Sequence, residues 1–268
     1  MEKVSKKYWD DSWATNKIPN FVVPYQPGLK NYPKRYWHQY FCDVFSGMET
    51  GKMKLLEIGC ANSVWLPYFA KEFGFKIFGL DYSEIGCQQE KQILSQAGVE
   101  CEIICVDFFS PPEAILEEFD VVISFGVAEH FEDTAACVQA FAKFLKPNGL
   151  MITIIPNMVG LIGWIQKLIN RPVFDIHVLL DSHDLAESHK LSSFQVMDCN
   201  YFMSTHFGVC NLNGIPTKSI EWFIKKVILL FLISFSVIIW YLEIKMGRLS
   251  PNKITSPYIC CVALKLAS

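Results

Sequence analysis

The sequence has no excess of basic residues. Its 24 lysines and arginines are outnumbered by 27 aspartates and glutamates, which gives a formal net charge of −3 and an isoelectric point near 6.1. The basic residues are also scattered rather than grouped into a stripe that could neutralise a phosphate backbone. We therefore expect no nucleic-acid partner and favour a small-molecule ligand.

The sequence also lacks an apolar run at its N-terminus and lacks any Cys-x-x-Cys pair among its ten cysteines. The first seven residues include four that are charged, which excludes a typical secretory signal there. The adjacent Cys260 and Cys261 would point to opposite faces of a strand. We expect reduced, mostly buried thiols in a cytoplasmic protein, with no zinc site and no disulfide framework.

Short runs of β-branched and aromatic residues alternate with amphipathic stretches between residues 54 and 155. This alternation is typical of a doubly wound parallel sheet covered by helices. The predicted strands are 54–58, 76–80, 101–106, 120–125 and 150–155, and a further strand is predicted at 257–266. The predicted helices are 64–73, 84–97, 112–117 and 134–145.

Three of these strands end in residues that suit a nucleoside-like ligand. The first runs into residues 57–63 (EIGCANS), where a glycine turn lets backbone N–H groups approach a ligand. The second ends at Asp81, whose carboxylate can accept hydrogen bonds from both hydroxyls of a ribose. The third ends at Asp107 and Phe108, which offer an acceptor for an exocyclic amine and an aromatic wall for adenine. Ligands of such sheets bind at the carboxyl ends of the strands, so we expect one site there.

With residues 119–122 (FDVV) and 145–149 (LKPNG), these motifs make residues 53–206 resemble class I S-adenosylmethionine-dependent methyltransferases. The resemblance implies that the cofactor is S-adenosyl-L-methionine. It also implies a set of cofactor-binding residues: Glu57, Gly59, Ala61, Ser63, Asp81, Tyr82, Asp107, Phe108, Phe125 and Gly126.

Within that set the resemblance implies distinct roles. The methionine moiety is bordered by Glu57 and Gly59, the ribose by Asp81, the adenine by Asp107 with Phe108, and the sulfonium by Phe125 and Gly126. The chain departs from the family at Ala61 and Ser63, where glycines are common, and the added side-chain bulk predicts a weaker or slightly displaced cofactor. The Gly-x-Gly-x-x-Gly spacing of dinucleotide-binding proteins is missing.

The resemblance also sets the expected organisation of the chain. We predict a single methyltransferase domain over residues 1–268, with a Rossmann-like, mostly parallel sheet and an antiparallel last strand at 257–266. Residues 1–50 form an N-terminal cap, and residues 53–156 form the cofactor-binding core. Apolar insertions at 157–193 and 207–256 lie on the substrate side.

A polar turn, residues 126–133, follows the fourth predicted strand and contains His130. A histidine there can take a proton from an acceptor hydroxyl, because its ordinary pKa lies near neutrality. The alternative is a structural role, with Glu129 capping the next helix and His130 ordering the loop. Related ubiquinone-pathway enzymes have a metal-binding Glu-x-x-Glu-His pattern, but Gly126 stands at its first acidic position here. We therefore predict no metal.

Two further groups of residues leave alternatives open. His177, His183 and His189 recur every six residues, which does not place them on one helical face, although any one could reach an acceptor. The aromatic N-terminal segment, with Tyr8, Trp9 and Trp13, either folds over the cofactor or serves only for packing.

Two apolar segments, 158–169 and 227–242, are expected near the acceptor pocket. Residues 227–242 carry no charge, and sixteen helical residues span about 24 Å against a hydrocarbon core of roughly 30 Å. A single crossing would also separate the last strand from the sheet. The segment is therefore expected to be a buried helix, a peripheral membrane contact or a homodimer surface.

These observations together predict an enzyme that transfers a methyl group in line to a small acceptor, for which a lipophilic compound is one candidate. The alternative is a noncatalytic cofactor-binding or scaffold protein of the same fold. The residues do not identify the acceptor or the atom that is methylated.

Overall fold

The computed structural model describes residues 2–266, so the first and the last two residues of the predicted domain lie outside the described residues. The strands are β1 Lys54–Ile58, β2 Lys76–Asp81, β3 Glu102–Cys105, β4 Phe119–Phe125, β5 Leu145–Pro156, β6 Phe194–Phe202 and β7 Tyr258–Lys265. The helices are α1 Lys6–Thr15, α2 Tyr32–Val44, α3 Leu66–Phe73, α4 Glu84–Ala97, α5 Thr134–Ala142, α6 Leu161–Ile169, α7 Arg171–Asp175, α8 Ser182–Leu191 and α9 Ile220–Met246.

All seven strands form one sheet in the order β3-β2-β1-β4-β5-β7-β6. Strands β1 to β5 are parallel, while β7 lies antiparallel between β5 and β6. The strand order reverses between β1 and β4, and a doubly wound sheet opens a crevice at such a point, beyond the carboxyl ends of its strands. The predicted Rossmann-like sheet with an antiparallel last strand is confirmed.

The predicted secondary structure needs correction at several places. Helix α5 ends at Ala142 rather than at 145, and β5 begins at Leu145 rather than at 150. Residues 112–117 form only a 3-10 turn at Glu113–Ile115, because the segment is short and Pro111 and Pro112 supply no N–H groups. Strand β6 and helix α8 were not predicted; β6 lies at the sheet edge and carries polar residues at several positions, which obscures its strand pattern.

The sheet separates two apolar clusters. On one face, α2 and α3 pack against β1 and β4 through buried residues such as Phe41 and Phe69. On the other face, α5 and α8 pack through Phe141 and Leu185. A third cluster, centred on Leu229, joins α6 to α9.

The predicted N-terminal cap, residues 1–50, contains α1 and α2, but α2 is buried in the helical layer on one face of the sheet, so only α1 lies as a cap. Helix α1 lies near the carboxyl edge of the sheet, where Ser83 Oγ donates to Asp10 Oδ1 at 2.5 Å and Gln89 Nε2 donates to the Trp13 carbonyl at 2.7 Å. None of the ten residues of α1 is buried. The helix is therefore held by a few polar contacts rather than by a core of its own.

Helix α9 has 27 residues and extends well beyond the sixteen uncharged residues that the sequence suggested. Of its residues, only Leu229, Ser236, Trp240 and Glu243 are buried. Of the three alternatives for 227–242, a helix buried within this chain is therefore wrong, because most of its side chains face outward. Within residues 2–266, α9 is the one helix whose length and composition would allow it to cross a membrane.

Candidate cofactor and acceptor site

The turn after β1 depends on a glycine. Gly59 adopts φ 77°, a conformation that L side chains rarely adopt, and its N–H donates to the Leu80 carbonyl at 2.8 Å. A Cβ atom at Gly59 would lie 2.4 Å from Val127 Cγ2. The residue thus keeps the β1 turn close to the β4 turn and leaves a cavity between the strand ends.

Asp81 lies at the end of β2 and is buried. Its Oδ2 accepts a hydrogen bond from the Ala61 N–H at 3.1 Å, and its Oδ1 accepts from the Ser83 N–H at 2.8 Å. Burial raises its pKa to about 6, although the amide hydrogen bonds act in the opposite direction. Each carboxylate oxygen has a second lone pair, so Asp81 can still accept hydrogen bonds from ligand hydroxyls.

Ser63 stands at a position where the resembled family commonly has glycine, and its hydroxyl is used. Ser63 Oγ donates to Glu57 Oε2 at 2.8 Å and accepts from the Trp65 N–H at 3.0 Å. Burial raises the pKa of Glu57 to about 8, with the Ser63 hydrogen bond acting against it. Ser63 therefore orients a buried carboxyl and begins the turn into α3.

The strand ends enclose an inner cavity of about 280 Å³. Nine of the ten predicted cofactor-binding residues line it: Glu57, Gly59, Ala61, Ser63, Asp81, Tyr82, Phe108, Phe125 and Gly126. The N-terminal cap adds Glu2, Trp9 and Trp13 to its wall. The Tyr82 hydroxyl donates to Glu2 Oε1 at 2.7 Å, a contact between residues too distant in sequence for local patterns to indicate.

Asp107, the remaining predicted cofactor residue, does not line the inner cavity that residues 2–266 form. Its Oδ1 accepts a hydrogen bond from the Phe109 N–H at 2.9 Å, which turns the carboxylate into its own loop. Its neighbour Phe108 does reach the cavity.

A middle cavity of about 360 Å³ adjoins the inner one. The two share six wall residues: Trp9, Trp13, Trp65, Phe125, Gly126 and His130. Both Trp9 and Trp13 come from α1, and their rings stack with centroids 6.0 Å apart. The aromatic N-terminal segment therefore lies over the cavities, which agrees with the first of the two alternatives left open by the sequence.

His130 is buried in the wall between the two cavities. Its Nδ1 lies 3.0 Å from the Ile176 carbonyl oxygen, which can only accept, so the ring proton is on Nδ1 and Nε2 keeps its lone pair. Burial, with a further contribution from His177, lowers the pKa of His130 to about 3. The imidazole is therefore neutral at physiological pH with a lone pair on Nε2, and the same burial makes it a weaker base than a free imidazole.

Glu129 and His177 lie beside His130 in the middle cavity. His177 Nδ1 contacts the Val173 carbonyl at 2.7 Å, so its proton is also fixed on Nδ1. Burial raises the pKa of Glu129 to about 8, and its Oε2 has no hydrogen-bond partner among the described residues. The ligand atoms of the three side chains lie within 4.8 Å of one another, so they could hold a divalent cation.

The three evenly spaced histidines do not meet. Only His177 faces the middle cavity, as the described residues form it. His189 is buried in the core, where Nε2 contacts Thr153 Oγ1 at 2.9 Å, and His183 is exposed near the start of α8. No local pattern of the sequence distinguishes the three positions.

Comparisons with known proteins agree with this geometry. A family described as Methyltransferase domain matches residues 49–172. The ubiquinone biosynthesis O-methyltransferase of Neisseria meningitidis serogroup A is 30% identical over 173 residues, covering 59% of this chain and 72% of that protein. The same-named protein of Bartonella bacilliformis is 24% identical, and the match covers 58% of this chain and 65% of that protein.

Among solved structures, geranyl diphosphate C-methyltransferase from Streptomyces coelicolor has a TM-score of 0.62 at 10% identity, covering 97% of each chain. At this identity the likeness concerns the fold alone. Fold, inner cavity and relatives agree: the chain belongs to the class I S-adenosylmethionine-dependent methyltransferases. The cofactor is S-adenosylmethionine, and the residues at the ends of β1, β2 and β4 suit it chemically.

Proposed function

We propose that this protein transfers the methyl group of S-adenosylmethionine to a hydroxyl group of a small acceptor held in the middle cavity. The observation that carries the proposal is the position of His130 in the wall shared by the two cavities, with its Nε2 lone pair free. A base at this position can reach the point where donor and acceptor meet.

In the proposed step the acceptor oxygen attacks the methyl carbon in line with the bond to sulfur. The carbon–oxygen bond forms as the carbon–sulfur bond breaks, which yields S-adenosylhomocysteine and a methyl ether. The hydroxyl proton passes to His130 Nε2 and then to solvent. Because the sulfonium already supplies the electrophile, the protein contributes mainly by holding donor and acceptor in line.

The cofactor parts are assigned to the inner cavity on the same argument. We assign the methionine moiety to Glu57 and Gly59, the ribose to Asp81, and the adenine to Phe108. The predicted contact of Asp107 with adenine would require its side chain to turn toward the inner cavity, because the Phe109 N–H occupies only Oδ1 and leaves Oδ2 to accept. A divalent cation at Glu129, His130 and His177 would supply Lewis-acid activation of an acceptor oxygen when bound. It would occupy the His130 Nε2 lone pair and so would replace His130 as the base.

Calorimetry tests the cofactor assignment directly. We expect S-adenosylhomocysteine to bind the purified protein far more tightly than NAD, because the turn after β1 has no dinucleotide glycine pattern. Comparable NAD binding would contradict the assignment.

Turnover is tested with radiolabelled S-adenosylmethionine and a panel of phenols, catechols and long-chain hydroxylated compounds. Label in an ether product of any acceptor supports the proposal. Tight cofactor binding without transfer to any member of the panel would favour the noncatalytic alternative.

A further inference from the structure

The outward side of α9 is almost wholly apolar. It bears nine such side chains at helical spacing: Ile220, Phe223, Ile224, Val227, Phe231, Phe235, Ile238, Tyr241 and Leu242, which we call the α9 face. Phe231 is 74% exposed. The polar residue among them, Ser234, donates its hydroxyl to the Leu230 carbonyl at 2.8 Å and so needs no water. An exposed patch of this extent indicates an interaction surface.

Helix α6 also carries exposed apolar residues. It packs beside α9 through the cluster that contains Leu229, and its own outward residues Trp164 and Leu168 are 59% and 61% exposed. Two neighbouring helices thus present apolar side chains to the surroundings.

The ends of α9 are basic. Lys218, Lys225 and Lys226 lie at its start, and Lys245 and Arg248 lie at its end. Lys226 lies over the Trp222 ring at 5.9 Å and Lys245 over the Tyr241 ring at 5.9 Å. Of these two pairs, Tyr241 with Lys245 lies on the α9 face, where a lysine stem on an aromatic ring suits the headgroup level of a bilayer. Positive charge at both ends of α9 favours anionic lipids.

The same charges argue against a second copy of the chain as the occupant. Two α9 faces packed against each other would bring basic ends together in either the parallel or the antiparallel orientation. The exposed carboxylate near these ends, Glu221, is already paired with Lys225 at 2.6 Å, and Glu243 is buried and accepts from the Tyr32 hydroxyl at 2.9 Å. Anionic headgroups would meet the basic ends favourably.

Side chains along α9 fix it to the protein body. Ser236 Oγ accepts from the Phe207 N–H at 3.0 Å, and Trp240 Nε1 donates to the Thr205 carbonyl at 3.0 Å. Strand β7 follows α9 and lies inside the sheet. The helix therefore lies along the surface, with its apolar face outward, rather than crossing a bilayer.

An outer cavity of about 890 Å³ lies against the inner side of α9, opposite the α9 face. Helix α9 contributes Trp222, Lys226, Leu229 and Ile233 to its wall. The outer and middle cavities share six residues: Tyr8, Ser12, Asn16, Val173, Asn211 and Asn213. The outer cavity, walled in part by the inner side of α9, thus adjoins the middle cavity, which His130 lines.

We propose that the α9 face docks on an anionic lipid bilayer and that the acceptor is an amphipathic lipid whose hydroxyl-bearing head reaches His130 through the outer cavity. The acceptor part rests on the proposed function, whereas the docking part stands on the surface alone. In this arrangement the apolar tail lies in the outer cavity against the inner side of α9, and the head occupies the middle cavity.

Vesicle flotation tests the docking. We expect the protein to float with phosphatidylcholine vesicles that contain phosphatidylglycerol, less with phosphatidylcholine alone, and less at high salt. Phe231→Ser should weaken binding about tenfold or more, the scale of one buried aromatic side chain. Leu191→Ser is the matched control, because Leu191 is 76% exposed at the end of α8, whose residues pack on the opposite face of the sheet from Trp240 of α9.

Several outcomes would overturn the docking proposal. The protein could fail to float with either kind of vesicle, or Phe231→Ser and Leu191→Ser could lose vesicle binding equally. The bound protein could resist carbonate extraction, as expected of a helix that crosses the bilayer. Light scattering could also show a stable dimer that Phe231→Ser dissociates. Unchanged affinity for S-adenosylhomocysteine in Phe231→Ser shows that the fold is intact.

The route is tested by calorimetry with a series of 4-alkylphenols on protein saturated with S-adenosylhomocysteine. Affinity should rise up to about fourfold per added methylene while the tail fills the outer cavity. Ile233→Trp, which narrows that cavity, should remove the gain for long chains and leave phenol and vesicle binding unchanged.

The route would be overturned if the affinity of the wild-type protein for 4-alkylphenols did not depend on chain length. It would also be overturned if Ile233→Trp showed the same dependence as the wild-type protein. Vesicle and alkylphenol binding without methyl transfer would leave this inference standing and contradict the proposed function.

Discussion

Asp81 combines a structural and a binding role in one carboxylate. Its oxygens hold the amides of Ala61 and Ser83 and still face the inner cavity. We expect Asp81→Ala to weaken S-adenosylhomocysteine binding about ten- to a hundredfold, the scale of hydrogen bonds to a charged group. Calorimetry measures this, and Asp107→Ala is the comparison. An equal or larger loss in Asp107→Ala would show that Asp107, not Asp81, is the dominant carboxylate.

His130 gives a prediction on rate and pH. We expect His130→Ala to lower turnover about a hundredfold or more with cofactor affinity nearly unchanged, because the side chain acts on the acceptor proton. Burial holds its pKa at about 3, so the wild-type rate should show no loss near pH 6.5 from protonation of this base. The test is to measure turnover rates of the wild-type protein and of His130→Ala across the acid pH range. His183→Ala, at an exposed histidine, is the control. Wild-type turnover in His130→Ala would return the residue to a structural role.

At the scale of elements, the turn after β1 packs closely against the turn after β4, with Gly59 next to Val127. Gly59→Ala should weaken both folding and cofactor binding, because its Cβ meets Val127 and its φ is positive. Adding Val127→Ala should restore the part of the lost stability that comes from the steric clash. The cost of the positive φ, roughly 1–2 kcal/mol, remains. Thermal unfolding and calorimetry on the three variants test this. No recovery in the double variant would mean that the backbone cost is the whole effect.

The elements that could be predicted from sequence are those whose apolar pattern is local. Strand β1 matches its predicted bounds, and so does α4, which begins at the Ser83 cap and ends at Gly98 with φ 62°. The sequence also predicted that the residues at the strand ends meet in one site, because the carboxyl ends of parallel strands lie at the same edge of a sheet. Strand β6 was missed, since polar residues at a sheet edge obscure the pattern, and Glu2 joins the site only through tertiary contact with Tyr82.

Across the whole molecule, buried ionisable groups set how stability depends on pH. Burial raises the pKa of Glu57 and Glu129 to about 8, so their stabilising protonated forms are lost as pH rises from the unfolded value near 4.5 toward 8. Burial lowers the pKa of His130 to about 3 and of His189 to about 4, so these groups cost stability only as pH falls below about 6.5.

Between pH 6.5 and 8 the carboxyls therefore dominate. We expect the free energy of unfolding of the cofactor-free protein to fall over this range, by up to about 1.4 kcal/mol per pH unit for each group. Urea unfolding at several pH values measures the slope, and Glu57→Gln should reduce it. A stability that rises from pH 6.5 to 8 would contradict the assignment.

Helix α1 supplies Trp9 and Trp13 to both the inner and the middle cavity, although none of its residues is buried. The same helix therefore lies over both ligand sites, and we expect it to move aside for either ligand to enter. If the acceptor and the closed helix stand between the cofactor and solvent, the cofactor enters first and leaves last. Steady-state kinetics should then show an ordered mechanism, in which S-adenosylhomocysteine competes with S-adenosylmethionine and not with the acceptor. Each methylation on a lipid surface would then require α1 to open fully before the next one begins.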